Sequence, residues 1–252
     1  MKQKNVLGFL LSTLFIVLIY FFTRSYYGQF LWFILGLLLL LAFLKEENRL
    51  FAWTIMAFFG GNFILFYTDK FIQGFNLMPF ARLMAGQLLC VIPILSMCYV
   101  IKTFNKNVSF FLKKPELEHG RRIFYIILAI LSVAIIILLL TTARGIDMNI
   151  FFALISFTLI HAIGQEVMWR GILLTQFIGI TNDIYAILFS SIAFAINTTI
   201  FGFSPAVVLF YLFLGILFAI LTIKCKSILP SIIAHTMVLI FFYLIDWLQL
   251  PL

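Results

Sequence analysis

The stretch GQEVMWRG, residues 164–171, places three strongly polar side chains, those of Gln165, Glu166 and Arg170, inside a long apolar run. An ionisable side chain at the centre of a membrane-spanning helix costs roughly 3 kcal/mol on insertion scales. Such a residue is a candidate functional residue wherever the surrounding sequence spans a membrane. The rest of the chain decides whether this stretch does so.

The composition of the chain is that of a membrane protein. Of its 252 residues, 64% are hydrophobic, 32 are phenylalanine and only 10% are charged, which is more apolar surface than a water-soluble core can absorb. The 17 basic residues are dispersed over short connecting segments, where they fit topology signals beside anionic lipid better than a nucleic-acid patch. We therefore predict a multi-pass protein of the cytoplasmic membrane that contacts lipid and no nucleic acid.

Apolar runs of roughly 20 residues, the length that a bilayer core requires, begin near residues 5, 29, 50, 82, 123, 151, 184, 205 and 227. Because the second run, residues 29–44, is short, the prediction is an all-α polytopic membrane protein with eight or nine transmembrane helices. The first run, Val6 to Phe22, is too long for a signal peptide and no small-residue cleavage site follows it, so we interpret it as an uncleaved span. The three cysteines lack CxxC spacing and support neither a disulfide framework nor a thiolate metal site.

A cytoplasmic N-terminus is predicted from the basic residues, because these are retained on the cytoplasmic face of a membrane. With that orientation, only Arg24, Lys70, Arg82 and Arg144 fall on the non-cytoplasmic side. Twelve basic residues fall on the cytoplasmic side, namely Lys2, Lys4, Lys45, Arg49, Lys102, Lys106, Lys113, Lys114, Arg121, Arg122, Lys224 and Lys226.

Three regions follow from these assignments. Residues 1–101 form N-terminal transmembrane helices, residues 102–122 form a cytoplasmic loop, and residues 123–252 form a helical core that carries the polar residues. The loop mixes phenylalanines with lysines, so we interpret it as an interfacial connector whose aromatic side chains dip into the headgroups. In the first region, the Gly60–Gly61 pair allows close helix packing.

Helical spacing predicts which polar side chains meet. Glu166 and Arg170 are four residues apart and therefore on one helix face, where an ion pair reduces the cost of burying each. His161 and Gln165 have the same spacing on a neighbouring face and are placed to bond to each other. At about 1.5 Å per residue, Glu166, Thr198 and His235 lie at depths of about 16, 22 and 12 Å, which allows them to share one intramembrane cavity.

Three motifs now form an ordered set. Residues 165–171, QEVMWRG, resemble the signature EExxxR followed by Gly; residues 190–198, SSIAFAINT, resemble a motif in which paired serines precede a Phe and, four residues later, a His; and Pro230 precedes His235 as in a third motif, His followed four residues later by Asn or Asp. This set resembles the CPBP family, which comprises the CAAX prenyl endopeptidases and the bacteriocin-processing or immunity proteins also called Abi proteins. The resemblance covers about residues 120–245 and makes residues 123–252 a CPBP/Abi-like core.

The resemblance also implies a chemistry. In the family, the first glutamate acts as general base on a water, two histidines orient that water and stabilise the oxyanion, and the Asn or Asp completes the site. Here those four positions are Gln165, Thr198, His235 and Leu239, so that only His235 keeps the family residue, together with the second glutamate, Glu166, and with Arg170. A carboxamide cannot act as a general base at neutral pH.

Three functions follow from this pattern. The first is a bacterial pseudoprotease that binds a peptide or a membrane-protein partner in a bacteriocin-immunity, peptide-processing or regulatory role. The second is an active CAAX-type endopeptidase with a variant site. No cofactor is expected for the first, whereas in the second His161, Glu166 and His235 are residue types that zinc accepts; His161 is otherwise expected to make a helix-packing hydrogen bond. The third is a transporter component, disfavoured because the sequence lacks the paired broken helices of inverted repeats.

Overall fold

The computed structural model describes residues 4–24, 26, 28–106, 113–141, 147–198, 204–248 and 250. Within this part of the chain all regular secondary structure is helical and no strand occurs. The predicted all-α polytopic membrane fold is confirmed. The middle of the predicted loop 102–122, together with Lys2 and Arg144 of the orientation argument, lies outside the described residues.

The described helices are bounded as follows: α1 Lys4–Thr23, α2 Gln29–Phe43, α3 Glu46–Gln73, α4 Pro79–Leu89, α5 Val91–Thr103, α6 Leu117–Thr141, α7 Met148–Glu166, a π-helical segment Val167–Leu173, α8 Leu174–Ile180, α9 Asp183–Asn197, α10 Pro205–Cys225 and α11 Leu229–Leu244. Helices α4 and α5 are nearly continuous, as are α7, the π-helical segment and α8. The described helices thus group into nine apolar stretches, and each begins within six residues of a predicted start.

Six of these stretches are long and apolar enough to cross a membrane, namely Val6–Thr23, Glu46–Gln73, Pro79–Thr103, Arg122–Leu139, Met148–Ile180 and Pro205–Cys225. The other three, α2, α9 and α11, have only 15 or 16 residues. At about 1.5 Å per residue such a helix is shorter than a bilayer core of about 30 Å. The count of nine predicted apolar helices is therefore matched, but length alone supports six membrane spans among the described residues.

Successive stretches run in opposite directions, because the connections between most of them are short. The end of the bundle at which α1 begins also holds the end of α8, since Gly8 lies directly against the carbonyl group of Ile180. At this end Lys226 forms an ion pair with Glu116 at 2.7 Å. We call it the basic face, and its described basic side chains are Lys45, Arg49, Lys102, Lys106, Lys113, Lys114, Arg122, Lys224 and Lys226.

The opposite end of the bundle, which we call the far face, is where α1, α3 and α9 end and where α4, α7 and α10 begin. Its described basic side chains are only Arg24, Lys70 and Arg82. The uneven distribution of basic residues that predicted a cytoplasmic N-terminus is thus found between the two ends of the bundle. By that rule the basic face is the cytoplasmic one, which stays a prediction.

The N-terminal helices pack directly on the C-terminal ones. Helix α1 contacts α8 and α9, α3 contacts α8, and α4 contacts α7. Phe15 of α1 joins this packing, with its ring centroid 5.7 Å from that of Phe58 and 5.6 Å from that of Phe177. Of the Gly60–Gly61 pair, only Gly61 makes the predicted close helix contact, against Pro93 of α5. The bundle therefore has a core shared between both halves of the chain.

Candidate functional site

The GQEVMWRG stretch lies at the junction between α7 and the π-helical segment. The apolar run that begins near residue 151 predicts one regular helix, whereas the structure shows helix from Met148 to Ile180 with a π-helical turn over Val167–Leu173. All seven residues of that turn are buried. π-Helical turns inside α-helices frequently mark functional sites, and this one immediately follows Glu166.

Glu166 is held by two cationic or hydrogen-bonding partners. Its Oε1 atom lies 2.8 Å from Nδ1 of His235 and 3.3 Å from Nη1 of Arg170. The Glu166–Arg170 ion pair expected from the four-residue spacing is confirmed. Arg170 also donates a hydrogen bond from Nη2 to the backbone carbonyl of Gly215 at 3.3 Å. This cluster ties α7, the π-helical turn, α10 and α11 together.

Aromatic rings enclose the cluster. The guanidinium of Arg170 lies 4.1 Å from the ring centroid of Phe194 and 5.4 Å from that of Phe218. Phe218 is stacked on the imidazole of His235, with centroids 5.1 Å apart and an interplanar angle of 25°. Cation–π contacts gain strength when they are desolvated, so these rings fix the positions of both Arg170 and His235.

A cavity of about 370 Å³ opens beside this cluster. Gln165, Thr198 and His235, three of the four positions at which the resemblance places catalytic groups, line it together. The fourth, Leu239, is buried and is not among the lining residues. Neither Glu166 nor Arg170 lines the cavity. Thr198 and His235 therefore line the expected shared cavity, whereas Glu166 is connected to it only through its hydrogen bond to His235.

The altered side chains in the cavity wall bond within their own helices. Gln165 Oε1 accepts a hydrogen bond from the indole Nε1 of Trp169 at 3.0 Å. Thr198, directly after α9, donates its hydroxyl to the carbonyl of Phe194 at 2.8 Å. Each keeps its side chain at the wall through a local bond, and neither bonds to His235.

His161 lies in the same wall but does not bond to Gln165, so that predicted pairing is wrong. Its Nδ1 atom is 2.7 Å from Oε1 of Gln87 on α4, and its ring stacks on Phe157 with centroids 5.7 Å apart. The expectation of a helix-packing hydrogen bond is confirmed instead. The pairing fails because Gln87 and Trp169 offer His161 and Gln165 better-placed partners.

The zinc ligand set named from the sequence is not assembled. Among the described residues, which include His161, Glu166 and His235, no group of three His, Cys, Asp or Glu side chains is placed to hold a metal ion. His235 Nδ1 bonds to Glu166 and His161 Nδ1 bonds to Gln87, which points the two imidazoles at different partners. The His161 and His235 rings nevertheless lie side by side, with centroids 5.8 Å apart, and zinc at these residues stays a prediction.

Several lining residues were missed at the sequence level, and four of them are polar side chains from the N-terminal part of the chain. Thr23 of α1, Asn62 of α3, Gln87 of α4 and Cys90, at the junction between α4 and α5, face the same cavity. The sequence could have indicated Asn62 and Gln87, because each is a carboxamide within an apolar stretch long enough to span a membrane. Thr23 and Cys90 gave none, since both residue types are common in membrane helices.

The described part of the cavity wall is polar and carries no fixed charge. It presents four carboxamides, three hydroxyls, one thiol and two imidazoles among aromatic and aliphatic side chains, and it includes no carboxylate, ammonium or guanidinium group. Such a wall can donate and accept hydrogen bonds. Among the side-chain types of this wall, imidazole is the one that most often serves as a general base.

Residues 147–241 match the family described as type II CAAX prenyl endopeptidase Rce1-like. The chain carries an Rce1-like domain. This confirms the resemblance to the CPBP family that the three motifs indicated, and every motif position, from Gln165 to Leu239, lies within the Rce1-like domain. That domain extends from the start of α7 into α11. No curated protein and no solved structure shows significant similarity to the chain.

Proposed function

We propose that this intramembrane protease-like protein binds a peptide segment or a membrane-protein partner in the 370 Å³ cavity without hydrolysing it. One observation carries the proposal, namely that none of the described residues that line the cavity carries a carboxylate. The resemblance puts the general base of the family at position 165, where this chain has glutamine.

The geometry explains why the neighbouring carboxylate does not compensate. Glu166 is fully buried and its Oε1 atom is already engaged by His235 and Arg170. A base must reach within hydrogen-bond distance, about 2.6–3.2 Å, of the proton it removes. Because Glu166 lies outside the wall, a water in the cavity meets the Gln165 amide instead.

Transition-state stabilisation is weakened as well. Hydrolysis of an amide builds negative charge on the carbonyl oxygen, and donors aimed at that charge supply much of the catalysis. The second imidazole of the family is replaced by Thr198, whose hydroxyl proton is already given to the Phe194 carbonyl. His235 remains as the one motif group in the wall that could act on a water.

A second candidate function, hydrolysis by a variant site, rests on the His235–Glu166 pair. With Nδ1 of His235 bonded to the carboxylate at 2.8 Å, Nε2 is the ring nitrogen left to face a cavity water. A carboxylate bonded to one imidazole nitrogen stabilises the imidazolium that forms when the other nitrogen takes a proton. In this alternative His235 is the base and Glu166 orients it.

A cleavage assay on the purified, full-length protein in detergent or lipid separates the two functions. Quenched-fluorescent peptides, with and without a lipidated cysteine, serve as substrates for the unaltered protein and for His235→Ala. We expect no cleavage above the background of an empty-membrane preparation. Cleavage that disappears in His235→Ala would refute the binding function and establish the variant site.

Restoring the family residues supplies the converse test. Gln165→Glu places a carboxylate in the wall, where the Trp169 indole can still donate to it, and Thr198→His adds the second imidazole. We expect the double substitution Gln165→Glu/Thr198→His to produce cleavage. Leu239→Asn is the matched control, because Leu239 lies outside the wall and this substitution alone should produce none.

The biological setting is part of the same proposal. A member of this family without hydrolytic chemistry fits bacteriocin immunity or the regulation of another membrane protein in the cytoplasmic membrane of a bacterium, since each of these roles requires a held partner and no cut bond. Copurification with and without Thr198→Trp, which narrows the cavity, tests whether a partner depends on that cavity. A partner retained equally by both proteins binds elsewhere.

A further inference from the structure

The cavity lies towards one end of the bundle. Most of its lining residues come from the half of their helical stretch that is nearest the far face. Thr23 is the last residue of α1 and Thr198 directly follows α9, while Asn62 lies in the second half of α3 and Tyr211 in the first turns of α10. The wall therefore consists mainly of helix segments that end or begin at the far face.

The exceptions are Gln165, Met168 and His235, and His235 identifies the floor of the cavity. It is the seventh residue of α11, which begins at the basic face. His235 is 1% exposed, whereas Thr23, Asn197 and Thr198 are only partly buried. Burial thus increases from the helix ends of the far face towards His235.

The two faces differ in charge as well as in depth. The basic face carries nine described lysines and arginines, and the far face carries three. Basic residues are retained on the cytoplasmic side of a membrane. The end towards which the cavity lies is therefore the end that this rule places outside the cytoplasm.

We propose that the cavity is entered from the far face, on the non-cytoplasmic side of the membrane, and that it accepts an uncharged segment of polypeptide presented there. This inference rests on the proposed function, because it takes the cavity as the binding site. The composition of the wall supports an uncharged polypeptide as the ligand, since carboxamide, hydroxyl and imidazole groups form hydrogen bonds with backbone amides. A charged side chain would be desolvated without a counter-charge among the described lining residues.

The size of the cavity limits what can enter. Its 370 Å³ falls within the range of about 300–1,000 Å³ found for small-ligand pockets. A chain end or a short extended stretch fits into such a space, and a folded domain does not. The partner is thus a protein with an accessible, uncharged segment at the non-cytoplasmic surface.

Cys90, a native residue of the cavity wall, provides the reporter. It sits against α7, since a Cβ at Gly164 would lie 3.6 Å from the Cys90 Cβ. The full chain carrying Cys98→Ser and Cys225→Ser retains Cys90 alone. In a cysteine-free chain, Lys70→Cys marks the far face and Lys114→Cys marks the basic face, and both positions are exposed.

Intact bacterial cells expressing these variants are treated with a membrane-impermeant sulfonated maleimide, and inverted membrane vesicles are treated in parallel. We expect Cys90 and Lys70→Cys to be labelled in cells, and Lys114→Cys only in inverted vesicles. Thr198→Trp, which narrows the mouth, should slow labelling of Cys90 about tenfold or more and leave Lys70→Cys unchanged.

Three outcomes overturn the inference. Labelling of Cys90 only in inverted vesicles places the opening at the basic face. Reaction of Cys90 with membrane-permeant N-ethylmaleimide but not with the impermeant reagent places the opening towards lipid or closes it. Labelling of Lys70→Cys only in inverted vesicles reverses the orientation and with it the assigned side.

The uncharged character of the wall is tested by comparing how fast oppositely charged reagents modify Cys90. An anionic and a cationic methanethiosulfonate that differ only in their charged group are applied to Cys90. The modification rate of Cys90 by each reagent is divided by the rate of the same reagent at Lys70→Cys. We expect the two normalised rates to agree within about threefold. Gln165→Glu should favour the cationic reagent by about tenfold or more, because a fixed charge in a low-dielectric cleft concentrates counter-ions.

A strong preference for one charge in the unaltered wall overturns the assignment of an uncharged ligand. These readouts do not depend on cleavage. Labelling from the wrong side therefore refutes the direction of access and leaves the binding function standing, whereas peptide cleavage refutes the binding function and leaves the direction of access standing.

Discussion

Replacing Arg170 with methionine should destabilise the protein strongly. Methionine keeps an unbranched apolar chain of similar length and removes the positive charge. The Arg170 and Glu166 side chains are 2% and 0% exposed, and their ion pair spans 3.3 Å. Removing one partner of a buried pair costs about 3–5 kcal/mol, because the other charge stays buried without compensation.

The other contacts of Arg170 and Glu166 narrow this range for the loss of unfolding free energy. In Arg170→Met, Glu166 retains its 2.8 Å bond to His235, which moderates the penalty. The contact with the Phe194 ring at 4.1 Å and the hydrogen bond to the Gly215 carbonyl are lost as well, and a desolvated cation–π contact contributes about 2 kcal/mol. We therefore expect the free energy of unfolding to fall by about 4 kcal/mol.

Reversible unfolding in mixed micelles of mild detergent and dodecyl sulfate, followed by tryptophan fluorescence, measures this change. Arg49→Ala is the control, because Arg49 forms a 3.2 Å ion pair with Glu46 whose side chains are 42% and 85% exposed, and such pairs contribute less than about 1 kcal/mol. The double variant Glu166→Gln/Arg170→Met should recover about 2 kcal/mol relative to Arg170→Met. Equal losses in Arg170→Met and Arg49→Ala, or no recovery in the double variant, would refute the reasoning.

Two further predictions concern helix packing and use the same unfolding measurement. Gly61→Ala should lower the free energy of unfolding by about 1–3 kcal/mol, because its Cβ would overlap the backbone of Pro93, whereas Gly60→Ala, which faces open space, should change it by less than about 1 kcal/mol; equal effects would contradict the close α3–α5 contact. Gln87→Leu should cost about 1–3 kcal/mol by leaving His161 Nδ1 without its 2.7 Å partner, and adding His161→Phe should restore most of that loss. A double variant less stable than Gln87→Leu alone would show that His161 is held by other contacts.

Much of the fold could be predicted because the bilayer fixes the length and composition of its spans. The nine apolar stretches follow directly from hydropathy. The Glu166–Arg170 ion pair follows from helical spacing, since both partners are close in sequence. Hydropathy says nothing about helix geometry, however, so the π-helical turn over Val167–Leu173 was not foreseen.

The cavity could be predicted only in part, because most of its wall depends on contacts between distant segments. The three motifs named Gln165, Thr198 and His235, and all three line it. The bond between His161 and Gln87 joins residues 74 positions apart, and no spacing rule reaches that far. The expected imidazole–carboxamide pair was assigned within one helix, whereas the structure forms it between two.

The wall of the cavity combines residues from two parts of the chain. The Rce1-like domain begins at residue 147 and supplies the floor at His235, while Thr23, Asn62, Gln87 and Cys90 come from helices that precede it. A chimera that exchanges α1–α5 with those of another protein that carries an Rce1-like domain would therefore keep the Glu166–Arg170–His235 anchor, while about half of the cavity wall would come from the other protein. The ligand preference of the proposed binding cavity should therefore follow the transplanted helices, whereas the anchor should stay with the Rce1-like domain.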